Sequence, residues 1–137
     1  MQTIKGFREI DHTADVALEV WGASLEDLFQ QALFGMYALC GAIPGEVSTD
    51  KFSKSMHIEA EDMETLLVNF LSEMLYLLMD DTICEVNSLR IQDSHLDVEL
   101  RGQFFDTLQR EIKAVTFHQL KIEASDTHYR TCIVFDI

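Results

Sequence analysis

Apolar positions along this chain recur with two periods, and the switches between them mark out strands and two helices. Gly6 to Ile10 and Val16 to Trp21 read as two short strands, with Val16, Leu18 and Val20 on one face. The polar stretch Asp11-His12-Thr13-Ala14-Asp15 joins them. Ser24 then offers an N-cap with Glu26 and Asp27 in the first turn behind it. Leu25, Leu28, Phe29, Ala32, Leu33, Met36 and Tyr37 follow at helical spacing, which predicts a helix ending near Gly41. The segment from Ala42 to Asp50 holds the single proline, Pro44, beside Gly45 and reads as a loop.

Period two returns at Phe52, Lys54, Met56 and Ile58, and gives way to a second helical stripe. Met63, Leu66, Leu67, Phe70, Leu71, Met74, Leu75 and Leu78 form that stripe, behind the acidic start Glu61, Asp62 and Glu64. Such a helix packs on a sheet and ends at Asp80-Asp81. The remainder reads as β-rich. Glu85 to Ile91 and the alternation Leu96, Val98, Leu100 against Asp97, Glu99, Arg101 predict a hairpin. Phe105 to Arg110 carries no clear period. Ile112 to Ile122 and Tyr129 to Phe135 are expected as two last strands around a Ser125-Asp126-Thr127 turn, the final one central because both its faces are apolar. There is no internal repeat, low-complexity tract or linker. The fold class expected is α+β, a single domain over residues 1–137 with two helices packed on a mostly antiparallel or mixed β-sheet.

Composition narrows the function. At 47% hydrophobic and 25% charged residues, the chain has the balance of a folded domain with a real core. No apolar run has the length to cross a bilayer, and Lys5 and Arg8 are not followed by a signal-peptide core, so a cytoplasmic protein without a membrane association is expected. Cys40, Cys84 and Cys132 are odd in number and widely spaced, which fits reduced core residues better than disulfides or a cysteine-rich zinc site. The formal net charge of −14 argues against direct nucleic-acid binding, which needs a basic surface to neutralise phosphates. It suits a cation ligand, or a basic protein partner.

Two places concentrate chemistry. The connector Asp11-His12-Thr13-Ala14-Asp15 sets two carboxylates and an imidazole between strands that would hold them in place. The plain alternative is an Asx or Ser/Thr turn in which Asp11 and Thr13 satisfy backbone donors. At the other end, the apolar run Cys132-Ile133-Val134-Phe135 passes straight into Asp136 and Ile137. An acidic side chain and a terminal carboxylate then sit at the end of a central strand. That concentration of negative charge is costly unless a positive group offsets it or both reach solvent.

Asp-His-Thr-Ala-Asp-Val from Asp11 to Val16, followed by Trp21-Gly22 and Ser24-Leu25-Glu26-Asp27-Leu28-Phe29, closely resembles the N-terminal signature of the archease family. Glu59-Ala60-Glu61-Asp62 with Leu66-Leu67-Val68-Asn69-Phe70-Leu71 is similar to its central helix. Ile112-Lys113-Ala114-Val115-Thr116-Phe117-His118 resembles its late strand, and Val134-Phe135-Asp136-Ile137 its ending. The chain departs from the family at Phe117, where a tyrosine is common, and matches only in pattern from Cys84 to Arg110.

The resemblance implies a protein that is not itself an enzyme but activates an RtcB-type RNA ligase, promoting its guanylylation with GTP and its turnover in tRNA splicing and RNA repair. It also implies a metal ion held by Asp15, Asp136 and Ile137, the last through its backbone end. That donor set offers oxygen alone, which suits Ca²⁺ first and Mg²⁺ or Mn²⁺ next, rather than zinc. His12 is expected to support a carboxylate rather than ligate. Lys113, on the face opposite His118, is a candidate to pair with Asp15 or Asp136 or to meet the partner, with a plain surface salt bridge as the equal alternative. His118 reads as a core histidine, and His57, His95 and His128 as ordinary polar positions. Two rival functions are a hydrolase whose metal, on Asp15 and Asp136, activates a water with His12 as base, and an adaptor or chaperone whose metal is structural.

Overall fold

A computed structural model describes residues 4–11, 15–42, 52–105 and 108–137. The elements are β1 (Gly6–Asp11), β2 (Val16–Gly22), α1 (Leu25–Cys40), β3 (Phe52–Glu59), α2 (Met63–Met79), β4 (Thr82–Gln92), β5 (His95–Phe104), β6 (Ala114–Val115), β7 (Glu123–Ala124) and β8 (Tyr129–Asp136).

Both helices begin and end where local chemistry dictates. Ser24 is extended and its hydroxyl accepts from the Asp27 N–H, capping α1, while the Asp62 carboxylate accepts from the Thr65 N–H at 2.7 Å and caps α2. Gly41 closes α1 with φ of 77°, the left-handed conformation that a residue without Cβ adopts cheaply. Asp80 closes α2, its N–H reaching back to carbonyls of the last turn.

The strands divide between two antiparallel sheets rather than forming one. The first has the path β1-β2-β8-β6, with β7 also paired to β8, and the second runs β3-β5-β4. β8 is therefore interior, as its two-sided apolarity predicts. Helix α1 lies across β1, β2 and β8 and reaches β4, and α2 lies against β3 and β4 and reaches β6. The helices thus share one core with both sheets. Leu28, Phe29, Leu33 and Met36 of α1 and Leu66, Phe70, Leu71 and Met74 of α2 are fully buried there with Leu18, Ile133 and Phe135.

Three local expectations need correction. Residues Ile112 to Ile122 do not form one long strand; only Ala114 and Val115 pair with β8 there, and Glu123 with Ala124 makes a second short strand. The intervening chain is held by individual bonds instead. The Ile122 N–H donates to Glu64 at 3.0 Å, the Thr131 hydroxyl to the Lys121 carbonyl at 2.7 Å, and the Leu120 N–H to the Phe117 carbonyl at 3.0 Å. His118 is accordingly exposed, not a core residue, with its N–H donating to the Thr116 hydroxyl at 3.3 Å. Cysteines 40 and 84 are buried and free, but Cys132 projects to the outer face of β8 and is exposed.

Candidate functional site at the end of the central strand

The start of β2 and the end of β8 meet at one end of the first sheet. Val16 is paired with Phe135, Leu18 with Ile133 and Val20 with Thr131, so β2 and β8 run antiparallel with the start of one beside the end of the other. Continuing that register by one residue sets Asp15 opposite Asp136. Backbones facing each other across an antiparallel ladder lie about 5 Å apart, well within reach of two aspartate side chains closing on a common ion. Val16 and Phe135 are buried and anchor the ladder, whereas Asp15 is half-buried and Asp136 exposed. The apolar pairing therefore anchors the chain immediately beside both acidic residues.

The other neighbour of β8, the short strand β6, reaches the same strand end, with Ala114 on the face of Asp136 and Lys113 on the opposite face. Ala114 pairs with Asp136 and Val115 with Phe135, so Lys113 stands opposite Ile137. The Lys113 N–H donates to the Asp136 carbonyl at 2.7 Å, and the Thr116 N–H to the Val134 carbonyl at 3.0 Å. These bonds hold the last turn of chain from the side away from Asp15. They also engage the carbonyl of Asp136, a residue whose side chain remains exposed. Ile137 itself is 40% exposed.

Of the site residues expected from sequence, Asp15, Asp136, Ile137 and Lys113 thus share one end of the first sheet. His12, with the rest of 12–14, lies outside the described residues. The donor set fits a hard divalent cation: two carboxylates and a chain end, oxygen throughout, with no sulfur or nitrogen ligand required of the described residues.

A second cluster was not singled out by sequence. On the outer face of the second sheet, His57 pairs across to Asp97 and Glu59 to His95. His57 Nδ1 lies 2.6 Å from Asp97 Oδ1 and its Nε2 lies 2.9 Å from Glu59 Oε1, while His95 Nδ1 is 3.6 Å from the same Glu59 oxygen. The hydrogen bonds to Glu59 and then Asp97 raise the His57 pKa, and the bond from His57, followed by the charge of His95, lowers that of Glu59. The alternation His57-x-Glu59 was visible in the chain. Its meeting with His95 and Asp97 depends on the β3–β5 register, which no local signal carries.

The Archease protein family (MTH1598/TM1083) model matches residues 7–137. Among curated relatives, Protein archease of Archaeoglobus fulgidus is 32% identical, with 96% of this chain and 98% of that one covered. Protein archease of Methanosarcina barkeri is 31% identical with 97% of each covered, and Protein archease-like of Drosophila melanogaster is 26% identical over 96% of this chain and 90% of its own. The solution structure of Methanobacterium thermoautotrophicum protein 1598 matches with a TM-score of 0.72 at 23% identity, covering 96% of this chain and 99% of that one. A Thermotoga maritima crystal structure, described as an archease and possible chaperone, matches with a TM-score of 0.66 at 25% identity, covering 95% and 96%. A family model spanning both ends of the Asp15–Asp136 edge, relatives matched over almost their whole length and the same fold in solved structures agree: the chain belongs to the archease family.

Proposed function

We propose that this chain is the protein activator of an RtcB-type RNA ligase, and that it works through a divalent metal ion, Ca²⁺ first, held by Asp15, Asp136 and the backbone end of Ile137. The observation that supports the reading is the β2–β8 register, which ends at the buried pair Val16 and Phe135 and, continued by one residue, sets the two aspartates opposite one another. Two carboxylates and a chain end repel one another when no cation is shared among them, so binding an ion also tightens the C-terminus against the start of β2. When bound, the metal supplies positive charge and coordination sites at an otherwise acidic edge. The chain's own part is to fix the donors: Asp15 immediately precedes β2, Asp136 ends β8, and the Lys113 N–H holds that strand end from the far side.

The net charge of −14 suits docking on a protein that handles RNA and therefore carries a basic groove. On this reading the protein acts in the cytoplasm with the ligase and makes no RNA contacts of its own. No helix among the described residues is long and apolar enough to cross a membrane. The test is a ligase guanylylation assay with GTP, adding the wild-type chain or its Asp136→Ala variant. Loss of stimulation by the variant is expected. Undiminished stimulation would remove the site from the mechanism, and equal stabilisation of unrelated basic proteins would favour a general chaperone.

A further inference from the structure

The outer face of the second sheet carries a square of four metal-competent side chains, two on the edge strand β3 and two on the central strand β5. His57 and Glu59 alternate on β3, so both face outward, and the antiparallel pairing sets Asp97 directly across from His57 and His95 directly across from Glu59. The ligating atoms of His57, Glu59 and His95 all lie within 4.8 Å of one another. Two of those separations are 2.9 Å from His57 Nε2 to Glu59 Oε1 and 3.6 Å from His95 Nδ1 to Glu59 Oε1. They bracket the spacing of about 3.3 Å that neighbouring ligands adopt around a tetrahedral ion with bonds of about 2.0–2.1 Å.

The fourth residue makes the arrangement more than a group of polar neighbours. For His57 to coordinate through Nε2, its proton must sit on Nδ1. Asp97 Oδ1 lies 2.6 Å from that Nδ1 and selects this tautomer by accepting its hydrogen. Carboxylate, imidazole and ion would then stand in line, the arrangement in which a second carboxylate orients a metal-binding histidine. The rings of His57 and His95 meet edge to face at 5.7 Å between centroids, so each keeps a nitrogen toward Glu59 without stacking on the other.

We propose that His57, Glu59 and His95 form a binding site for a borderline transition-metal ion of the Zn²⁺ class, with Asp97 as the residue that positions His57. Two imidazoles and one carboxylate prefer Zn²⁺, Co²⁺, Ni²⁺ or Cu²⁺ to Ca²⁺ or Mg²⁺, so this site is chemically distinct from the oxygen-only edge at Asp15 and Asp136. Three protein ligands leave a further coordination position open on the exposed face, where water or a partner's side chain completes the shell. Because the ligands come from two strands, the ion clips β3, an edge strand, onto β5.

The experiment titrates the full-length, chelator-stripped protein with ZnCl₂ by calorimetry, and with CoCl₂ by visible absorption, where tetrahedral nitrogen and oxygen ligation gives intense bands. Wild-type protein is expected to bind one equivalent whose heat and cobalt bands disappear in His57→Ala and in His95→Ala. Asp136→Ala should retain them, and excess CaCl₂ should not displace the ion. Asp97→Asn is expected to weaken Zn²⁺ binding about 10- to 100-fold while leaving the cobalt spectrum tetrahedral, the mark of lost positioning rather than a lost ligand. All four side chains are exposed, and unchanged circular dichroism of each variant separates lost binding from lost folding. Equal Zn²⁺ affinity in wild type and His95→Ala would overturn the site, as would binding that vanishes with Asp136→Ala.

Discussion

The backbone N–H of Lys113 donates to the carbonyl of Asp136 at 2.7 Å, so the acidic end of β8 is held by a main-chain bond from one side while Asp15 approaches from the other. The bond belongs to the backbone, and the charge of Lys113 is separable from it. Lys113→Ala keeps the N–H and is expected to leave Ca²⁺ affinity unchanged, since the Lys113 side chain lies on the sheet face opposite Asp136. Lys113→Pro removes the donor and is expected to weaken affinity about 2- to 10-fold, the range of one ordinary hydrogen bond. Calorimetric Ca²⁺ titration of the two variants checks both. Equal loss in the two would assign the effect to the side chain.

The chain end makes a separate prediction. If the backbone end of Ile137 contributes an oxygen, residues appended after it remove the terminal carboxylate and crowd the edge beside Lys113. A C-terminal extension is expected to weaken both Ca²⁺ binding and ligase stimulation, whereas a tag before Met1 should be tolerated. Comparable activity of the two forms would take Ile137 out of the donor set.

Inside the core, the Tyr37 hydroxyl accepts from the Cys84 N–H at 3.0 Å, joining α1 to β4 in a place closed to water. Burial raises the phenol's pKa far above its usual value, so the group stays neutral at any working pH. Tyr37→Phe leaves the Cys84 N–H buried without its partner and is expected to cost about 1–3 kcal/mol. Chemical denaturation should show a lower midpoint with an unchanged slope.

The α2 cap carries a pH dependence whose sign follows from the Asp62 carboxylate. The bond from the Thr65 backbone N–H stabilises the ionised form and lowers its pKa in the folded protein. Its contribution is therefore present above the unfolded value of about 3.9, and is lost as pH falls through the lower folded value. The melting temperature of Asp62→Ala should lie below wild type at neutral pH. That difference should shrink as the solution is brought to about pH 2, and a gap that widens in acid would contradict the assignment.

These relationships explain what sequence could and could not reveal. The caps at Ser24, Asp62 and Gly41 and the stripes of both helices are set by residues within a turn or two of each other, so the chain displays them openly. The centrality of β8 was legible because Val134 and Phe135 are apolar on opposite faces and both are buried. The split into two sheets was not, because period two is the same whichever sheet a strand joins. The stretch after Ile112 misled because its apolar spacing suits a strand, yet its backbone is satisfied by Glu64, Thr116 and Thr131 rather than by a continuous ladder. Local sequence displays neither the Asp15–Asp136 pairing nor the His57–His95 cluster, for one reason: each depends on the register between strands far apart in the chain.

The most direct test of the C-terminal site is anomalous diffraction from crystals of the full chain loaded with Mn²⁺. A peak is expected at the end of β8, ringed by oxygens of Asp15, Asp136 and Ile137. Manganese density confined to other parts of the molecule, with that edge bare, would contradict the site.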